Sequence, residues 1–306
     1  MTVAKVTSTS YGNLGRKGTR QDNEMVSIDG LILATPGFTA SIANLALEAT
    51  WTDGIKAGTV FPINGLDSYE DQSSDDTIYE SALGKRKLLK RGKTRYMFQL
   101  DIPLSVHRTL QTSYNNADLT YFPIRDGKIC FYNNNGTAQG FSTSMINVGR
   151  MKEVPADGST PAFTPLYLDL SNYREWDMYG EFIEPSWEAN DLEPLIDVNV
   201  TKDTATTSTI VIKVSTSDGY DSDGAVKQVG IKGLVLADFT LSATILGELH
   251  ATPESAFKDN ADGTYTFTPA SAFSTGDHTI NLVSPASLSD DTIMIKSTGQ
   301  AAFTIS

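Results

Sequence analysis

Short apolar segments separated by turn residues fill the last third of the chain, residues 196–306. Thr, Val, Ile and aromatic residues, which favour extended backbone, are concentrated in these segments, and clusters of Gly, Asp, Ser or Pro separate most of them. The predicted strands are Asp197–Lys202, Thr209–Ser215, Phe239–Ile245, Gly263–Thr268, His278–Val283, Thr292–Lys296 and Ala302–Ile305. This spacing predicts an all-β sandwich.

Extended segments also dominate the preceding residues, 1–195. The predicted strands there are Thr94–Ile102, Leu119–Ile124, Lys128–Tyr132, Gly140–Val148 and Glu175–Ile183. Leu31–Leu33 fits a strand and Ser41–Ala49 is rich in helix formers, so the element type of 31–49 stays open. The stretch Val154–Pro165 is predicted to be a surface loop.

A single amphipathic helix is predicted over residues 103–114. Asp101 is the expected N-cap, Pro103 falls in the first turn, and Asn115-Asn116 ends the helix. Ile102, Val106 and Leu110 are spaced four residues apart, so they form one apolar stripe that would lie against a sheet. The predicted class is therefore all-β, with one flanking helix.

The composition changes near Glu193-Pro194. Every arginine lies at or before Arg174, and the last tryptophan is Trp187. We therefore predict two domains, 1–195 and 196–306. Within the first domain, residues 1–25 are expected to form an N-terminal arm, and residues 52–85 a long charged loop.

The overall charge is strongly acidic, with 37 Asp and Glu against 24 Lys and Arg and a net charge of −13. This balance argues against sequence-independent binding of nucleic acid, which requires basic surface. The one cysteine, Cys130, excludes an intrachain disulfide framework and is expected to be a buried thiol. Because the start of the chain lacks an apolar signal-peptide core and no long apolar stretch is present, we expect a soluble, cytoplasmically made protein with no membrane partner.

Opposite charges are grouped in two consecutive blocks. The acidic block contains Asp67, Glu70, Asp71, Asp75, Asp76 and Glu80, and the basic block contains Lys85, Arg86, Lys87, Lys90, Arg91, Lys93 and Arg95. Either both blocks are solvated or pair across a hairpin, or they pair between subunits and set their orientation. Further candidate contact residues in the N-terminal arm are Arg16, Lys17 and Arg20.

No pattern of residues indicates catalysis. The three histidines, His107, His250 and His278, lack metal-ligand spacing, and no Gly-x-Ser-x-Gly motif is present. We therefore expect neither an enzyme nor a cofactor. Two alternatives remain open: a carbohydrate-binding or adhesion module that uses Trp51, Trp176 and Trp187, and a glycoside hydrolase built on paired carboxylates.

Residues 196–306 resemble a bacterial immunoglobulin-like domain of the kind appended to phage virion proteins. The resemblance lies in Leu234–Thr240, in Ala261–Thr268 with its D-G-x-Y-x-F turn and strand, and in Gly276–Val283. It implies an immunoglobulin-like β-sandwich and does not indicate a ligand.

Residues 1–195 resemble the major tail (tail tube) protein of long-tailed bacteriophages in their order of arm, charged loop, long strand and single helix. The resemblance implies a β-sandwich or barrel that assembles into stacked, hexameric rings in the virion tail. Its partners would be further copies of itself, other phage tail proteins, and DNA passing through the lumen without specific binding. The arm and the loop 52–85 would join stacked rings, and the second domain would face outward. Another virion component, such as a tail hub or a capsid decoration protein, would share these features.

Overall fold

The computed structural model describes residues 28–82, 84–152, 162–220, 226–290 and 292–306, with residues 218–220 described by their backbone alone. Strands take up 46% of the structure and helices 19%, so the predicted all-β class is confirmed. The chain divides into two compact units, Met1–Pro194 and Leu195–Ser306. The predicted arm, with Arg16, Lys17 and Arg20, lies outside the described residues, as does most of the predicted loop 154–165.

The first unit contains thirteen described strands and four described helices. In chain order they are β1 (Gly30–Ala34), β2 (Thr39–Ser41), α1 (Ile42–Leu45), α2 (Glu48–Lys56), β3 (Val60–Ile63), β4 (Leu66–Asp71), β5 (Thr77–Glu80), β6 (Arg86–Lys90), β7 (Arg95–Leu100), α3 (Leu104–Tyr114), β8 (Thr120–Arg125), β9 (Lys128–Asn134), β10 (Thr137–Gln139), β11 (Phe141–Val148), β12 (Thr164–Leu170), α4 (Tyr173–Tyr179) and β13 (Gly180–Ile183).

Eleven of these described strands form one sheet, whose main path runs β2-β10-β9-β8-β11-β12-β7-β4. Strand β1 pairs with both β8 and β3, and β13 pairs with β9. Strand β11 joins the two halves, because Phe141 and Ser142 pair with β8 while residues 143–148 pair with β12. Side chains from both halves, including Leu33, Phe98 and Leu168, share one buried core.

Helices cover the other face of the central strands β1 and β8. Trp51 of α2 packs edge-on against Phe122 of β8, with ring centroids 5.0 Å apart, and Phe38 lies 5.4 Å from Trp51. The buried indole nitrogen of Trp51 donates to the carbonyl of Leu45 at 2.9 Å. Because both of their faces are covered, β1 is buried at every position and β8 at nearly every position. Residues 31–49, whose element type the sequence left open, contain most of β1, then β2, α1 and the start of α2.

Helix α3 begins later than predicted, and its buried face differs. The N-cap is Pro103, which makes no side-chain cap hydrogen bond, so the prediction of Asp101 is wrong. Leu110 is buried as predicted, but Val106 is exposed, and the second buried residue is His107. The Nδ1 atom of His107 lies 3.1 Å from the hydroxyl of Thr164 on β12, and this polar contact between two elements turns the helix away from the predicted stripe.

Two further predictions for the first unit need correction. The segment predicted as a strand over Glu175–Ile183 is a helix up to Tyr179, because Asn172 caps it by accepting a hydrogen bond from the Arg174 amide. Only Gly180–Ile183 is a strand. The residues 52–85 are not a loop either, since they contain the end of α2 and the strands β3, β4 and β5.

The second unit contains nine described strands and two short helices. They are β14 (Ile196–Ala205), β15 (Ile210–Tyr220), β16 (Val226–Gly230), β17 (Phe239–Leu241), α5 (Ala243–Glu248), α6 (Pro253–Ala256), β18 (Phe257–Asp259), β19 (Thr264–Phe267), β20 (Gly276–Leu282), β21 (Ile295–Ser297) and β22 (Ala301–Ile305). The predicted strand Phe239–Ile245 stops at Leu241, where α5 follows.

Two sheets enclose the core of the second unit. One follows the order β18-β19-β15-β14-β21, with β16 paired to β15, and the other follows β17-β20-β22. Buried side chains from both sheets, among them Ile212, Tyr265 and Ile280, form one cluster. The hydroxyl of Tyr265 donates to the carbonyl of Ile231 at 2.7 Å. Burial raises the pKa of Tyr265 to about 12.

Candidate interaction surface

A long antiparallel ribbon extends from the sheet of the first unit. Beyond β4 and β7, the amide of Gln72 donates to the carbonyl of Arg95 at 2.9 Å, and the amide of Ser74 donates to that of Lys93 at 3.0 Å. The amide of Gly92 donates to the carboxylate of Asp76 at 2.8 Å. The pairing then continues as the two-stranded sheet β5–β6. From here on we call the described residues of 72–94 the arm, and β5–β6 its tip. This arm is a different segment from the predicted N-terminal arm, residues 1–25.

Gly92 allows the two sides of the arm to lie close together. A Cβ atom at this position would overlap the carbonyl oxygen of Ser74 on the opposite side. Any side chain would therefore force apart the backbones that the hydrogen bonds hold together. The sequence in the middle of the arm thus fixes its width.

The base of the arm is tied to the neighbouring strand β12. The guanidinium of Arg95 donates to both carboxylate oxygens of Asp169, at 2.6 Å and 2.8 Å. Asp169 is buried, and this paired hydrogen bonding raises the pKa of Arg95. Nearby, the guanidinium of Arg91 lies 4.9 Å from the ring centre of Tyr173. The pKa of Tyr173 is lowered by its hydrogen bond with Arg174 and, further, by the positive charge of Arg91.

The tip of the arm exposes apolar side chains on both of its faces. Ile78 is 56% exposed, Tyr79 54%, Leu88 43% and Leu89 60%. Ile78 stands opposite Leu88 in the ladder, so these two share one face, and their neighbours Tyr79 and Leu89 point to the other. An isolated two-stranded hairpin is marginally stable in water, and exposed apolar clusters mark contact surfaces.

The two sides of the ribbon carry opposite charges. The acidic side follows β4 and β5 and carries Asp67, Glu70, Asp71, Asp75, Asp76 and Glu80. The basic side follows β6 and its flanking residues and carries Lys85, Arg86, Lys87, Lys90 and Arg91. One long edge is therefore acidic and the other is basic.

Two ion pairs cross the arm, so the interpretation that the blocks pair across a hairpin is confirmed for them. The Nε atom of Arg86 lies 2.9 Å from Glu80, and Arg91 lies 3.7 Å from Asp76. Both pairs are exposed to solvent and add little stability. Among the described residues, Lys87 and Lys90 form no ion pair. Part of the basic edge therefore has no acidic partner within the described chain.

Both outer edges of the ribbon lack a neighbouring strand in the described structure. Strand β4 pairs with β7 alone, and β6 pairs with β5 alone. Such edges expose unpaired backbone donors and acceptors, which a further strand can pair with. The ribbon thus combines an acidic edge, a basic edge and an apolar tip.

The charged residues of the ribbon were predicted from the sequence, but its exposed apolar residues were not. Ile78-Tyr79 and Leu88-Leu89 are adjacent apolar pairs within charged surroundings. Adjacent positions of a strand point to opposite faces, so such pairs predict a strand with apolar side chains on both faces. The ion pair between Arg95 and Asp169 could not be predicted from the sequence, because Asp169 lies on β12, a strand that was not predicted.

The three tryptophans do not form a platform for binding sugars. Trp51 is buried beneath β8, and the ring centre of Trp176 lies 4.9 Å from that of Phe141. The indole nitrogen of Trp187 donates to the carbonyl of Ala46 at 2.9 Å. Each ring is engaged in internal packing or hydrogen bonding, at a different place in the unit.

The groups considered for catalysis also have packing roles. Cys130 is buried in β9, and burial raises the pKa of its thiol to about 11, so it is protonated at neutral pH. His278 is buried, with its Nε2 atom 3.0 Å from the carbonyl of Ser274. In the described part of the chain, no group of three or more His, Cys, Asp or Glu side chains is placed to hold a metal ion.

Comparison with known proteins assigns no family. No family model matches the chain, and no curated protein matches it either. Among the described helices, none is both long and apolar enough to cross a lipid bilayer.

Proposed function

We propose that this protein is a self-assembling structural protein of a virion, and specifically a subunit of a phage tail tube. The observation that carries the proposal is the tip of the arm. It exposes four large apolar side chains, and the ribbon to which it belongs has one acidic edge and one basic edge. Burying such side chains against another molecule gains about 25 cal/mol for each Å² of apolar surface. A second copy of the chain is a partner that presents both an acidic edge and a basic edge, so each edge can meet its opposite.

The arrangement of charge favours contacts that propagate. The acidic and basic edges are different surfaces of the same molecule, so a contact between them joins each copy to two neighbours. Such a contact closes into rings or extends into filaments, depending on the rotation between copies. Closure would also cover the free strand edges, which otherwise invite uncontrolled aggregation.

The net charge of −13 suits a conduit for DNA. An acidic wall repels phosphate groups and gives them no cations to bind, so the nucleic acid can pass without adhering. In this proposal the second unit is an immunoglobulin-like domain that faces outward. Other virion parts, such as a hub or a decoration protein, would use the same surface with a different symmetry.

Negative-stain electron microscopy of the purified full-length chain tests this function, over a series of protein and salt concentrations. We expect rings or hollow tubes whose number rises with protein concentration. The double variant Ile78→Ser/Leu88→Ser removes one apolar face of the tip and should leave monomers. Particles that remain monomeric at every concentration in the parent chain would overturn the proposal.

A matched control is provided by the second unit. Val226 and Val229 of β16 are exposed to a similar extent as Leu88. The variant Val226→Ser/Val229→Ser removes comparable apolar surface outside the arm, and it should assemble as the parent does. Loss of assembly in this control would show that general surface hydrophobicity, and not the tip, drives association.

A further inference from the structure

We infer that strand β6 of one copy adds to the free edge of β4 in a neighbouring copy, as an antiparallel strand in a fixed register. This inference rests on the proposed self-assembly and specifies its contact. Both strands have a free edge in the described structure, and they have similar lengths, five residues for β6 and six for β4. Strand addition satisfies the backbone groups of both edges at once.

The side chains select one antiparallel register. In it, Arg86 stands opposite Asp71, Lys87 opposite Glu70, and Leu88 opposite Tyr69. The register is limited to these three pairs, because β4 has a bulge between Leu66 and Ser68 and β6 has one at Leu89. Both basic residues within these pairs then face an acid of β4. Opposite charges at directly facing positions stabilise a pair of strands, and like charges destabilise it.

The parallel alternative is a poorer match. When Leu88 is kept opposite Tyr69, parallel addition places Lys87 opposite Ser68. Lys87 then loses its acidic partner. The antiparallel arrangement is therefore preferred on charge alone.

The apolar position in this register agrees with the packing already present. Tyr69 is half-buried, and its ring centre lies 6.3 Å from those of Tyr96 and Phe98 in the sheet. Residues that face each other across a ladder lie on the same side of the sheet, so Leu88 of the neighbour would extend this aromatic cluster. The exposed apolar side chain of Leu88 would be covered by the contact.

The charges in this register also agree with the pairing found within one copy. Lys87 lacks an acidic partner among the described residues, and a neighbour's Glu70 would supply one. Arg86 would lie between its own Glu80 and the neighbour's Asp71. The contact is heterologous, so every copy donates β6 to one neighbour and receives a strand at β4 from another.

Charge exchange between Lys87 and Glu70 tests the register in the full-length chain. The measurement is the critical concentration for assembly, determined by sedimentation with electron microscopy of the pellets. Lys87→Glu and Glu70→Lys should each raise it about tenfold, because each places like charges opposite each other. The double variant Lys87→Glu/Glu70→Lys restores opposite charges and should return it to within about threefold of the parent.

The control is Lys87→Glu/Asp75→Lys, which has the same net charge as the exchanged pair. Asp75 is exposed but lies outside the proposed register, so this variant should remain as defective as Lys87→Glu alone. Circular dichroism of each variant checks that Glu70→Lys, which also loses the hydrogen bond from Gln72, leaves the fold intact.

The outcomes separate the register from the function. If the parent assembles and the exchanged pair does not recover, or the control recovers equally, the register is wrong and the proposed function stands. If the parent never assembles, the proposed function fails and the strand addition fails with it. Recovery of the exchanged pair alone supports both.

Discussion

The hairpin β14–β15 of the second unit and the tip β5–β6 of the first are the same kind of element. The first buries most of its apolar side chains, whereas the second exposes them. Both are antiparallel, and both contain a register shift. In β14–β15 the buried apolar residues lie at alternate positions, and Val198, Val200, Ile210, Ile212 and Val214 are no more than 4% exposed. In the tip, the large apolar residues are all at least 43% exposed.

The difference follows from the order of residues, not from their number. Buried apolar side chains at alternate positions share one face, which a single partner sheet can cover. The adjacent pairs Ile78-Tyr79 and Leu88-Leu89 divide the apolar side chains between two faces. In the described part of the chain, no layer covers either face of the two-stranded arm, so its apolar surface is available to another molecule.

Truncation of one apolar residue in each hairpin tests this comparison most strongly. Ile212→Ala should destabilise the second unit by about 2–5 kcal/mol, because it leaves a cavity in a closed core. Leu88→Ala should change the stability of the monomer by no more than about 0.5 kcal/mol, although it weakens assembly. Urea unfolding followed by far-ultraviolet circular dichroism, below the assembly concentration, measures both. Equal losses in the two variants would mean that the tip is packed within the monomer.

Removal of the tie at the base of the arm should have an intermediate effect. Arg95→Met leaves the buried carboxylate of Asp169 without its cation, and the first unit should unfold at a lower urea concentration. Tryptophan fluorescence reports this unit alone, since Trp51, Trp176 and Trp187 all lie in it. The control Arg86→Met removes an exposed ion pair and should leave the midpoint nearly unchanged. A midpoint shift as large in the control as in Arg95→Met would contradict the anchoring role.

High pH should produce the smallest effect in this comparison, through Tyr265 of β19, the strand that pairs with β15. Tyr265 has a folded-state pKa of about 12, against about 10 when unfolded. The stability that comes from its protonated form is complete below pH 10 and is lost as the pH rises through 12. Residual solvent screening reduces this contribution to on the order of 1 kcal/mol.

The check is urea unfolding of the second unit at pH 9 and at pH 11.5. Tyr265→Phe should remove this part of the pH dependence, whereas Tyr79→Phe on the exposed arm should leave it as in the parent. A parent chain whose second unit is equally stable at both pH values would contradict the assigned role of Tyr265.

Strands with regular alternation could be predicted from sequence, because the pattern itself records which face is buried. The strands predicted over Lys128–Tyr132 and Gly140–Val148 correspond to β9 and β11, whereas the short strand β10 between them was not predicted. Helices were harder. The residues 175–179 contain aromatic and apolar side chains suited to a strand. They form a helix because Asn172 caps its start and Trp176 packs against Phe141.

The candidate surface was predictable in its charges but not in its geometry. The acidic and basic blocks are visible along the sequence, whereas their separation onto two edges depends on the pairing of β4 with β7 and of β5 with β6. The face of α3 was mispredicted because His107, a polar residue, is buried through its contact with Thr164, a partner 57 positions away.

The burial of Cys130 has a practical consequence for labelling. The chain has one cysteine, and its protonated, enclosed thiol reacts slowly with alkylating reagents and oxidants at neutral pH. A thiol introduced on the exposed arm would therefore be the one reactive site in an otherwise unaltered protein. Fluorophores, spin labels or cross-linkers could be attached there without first replacing the native cysteine.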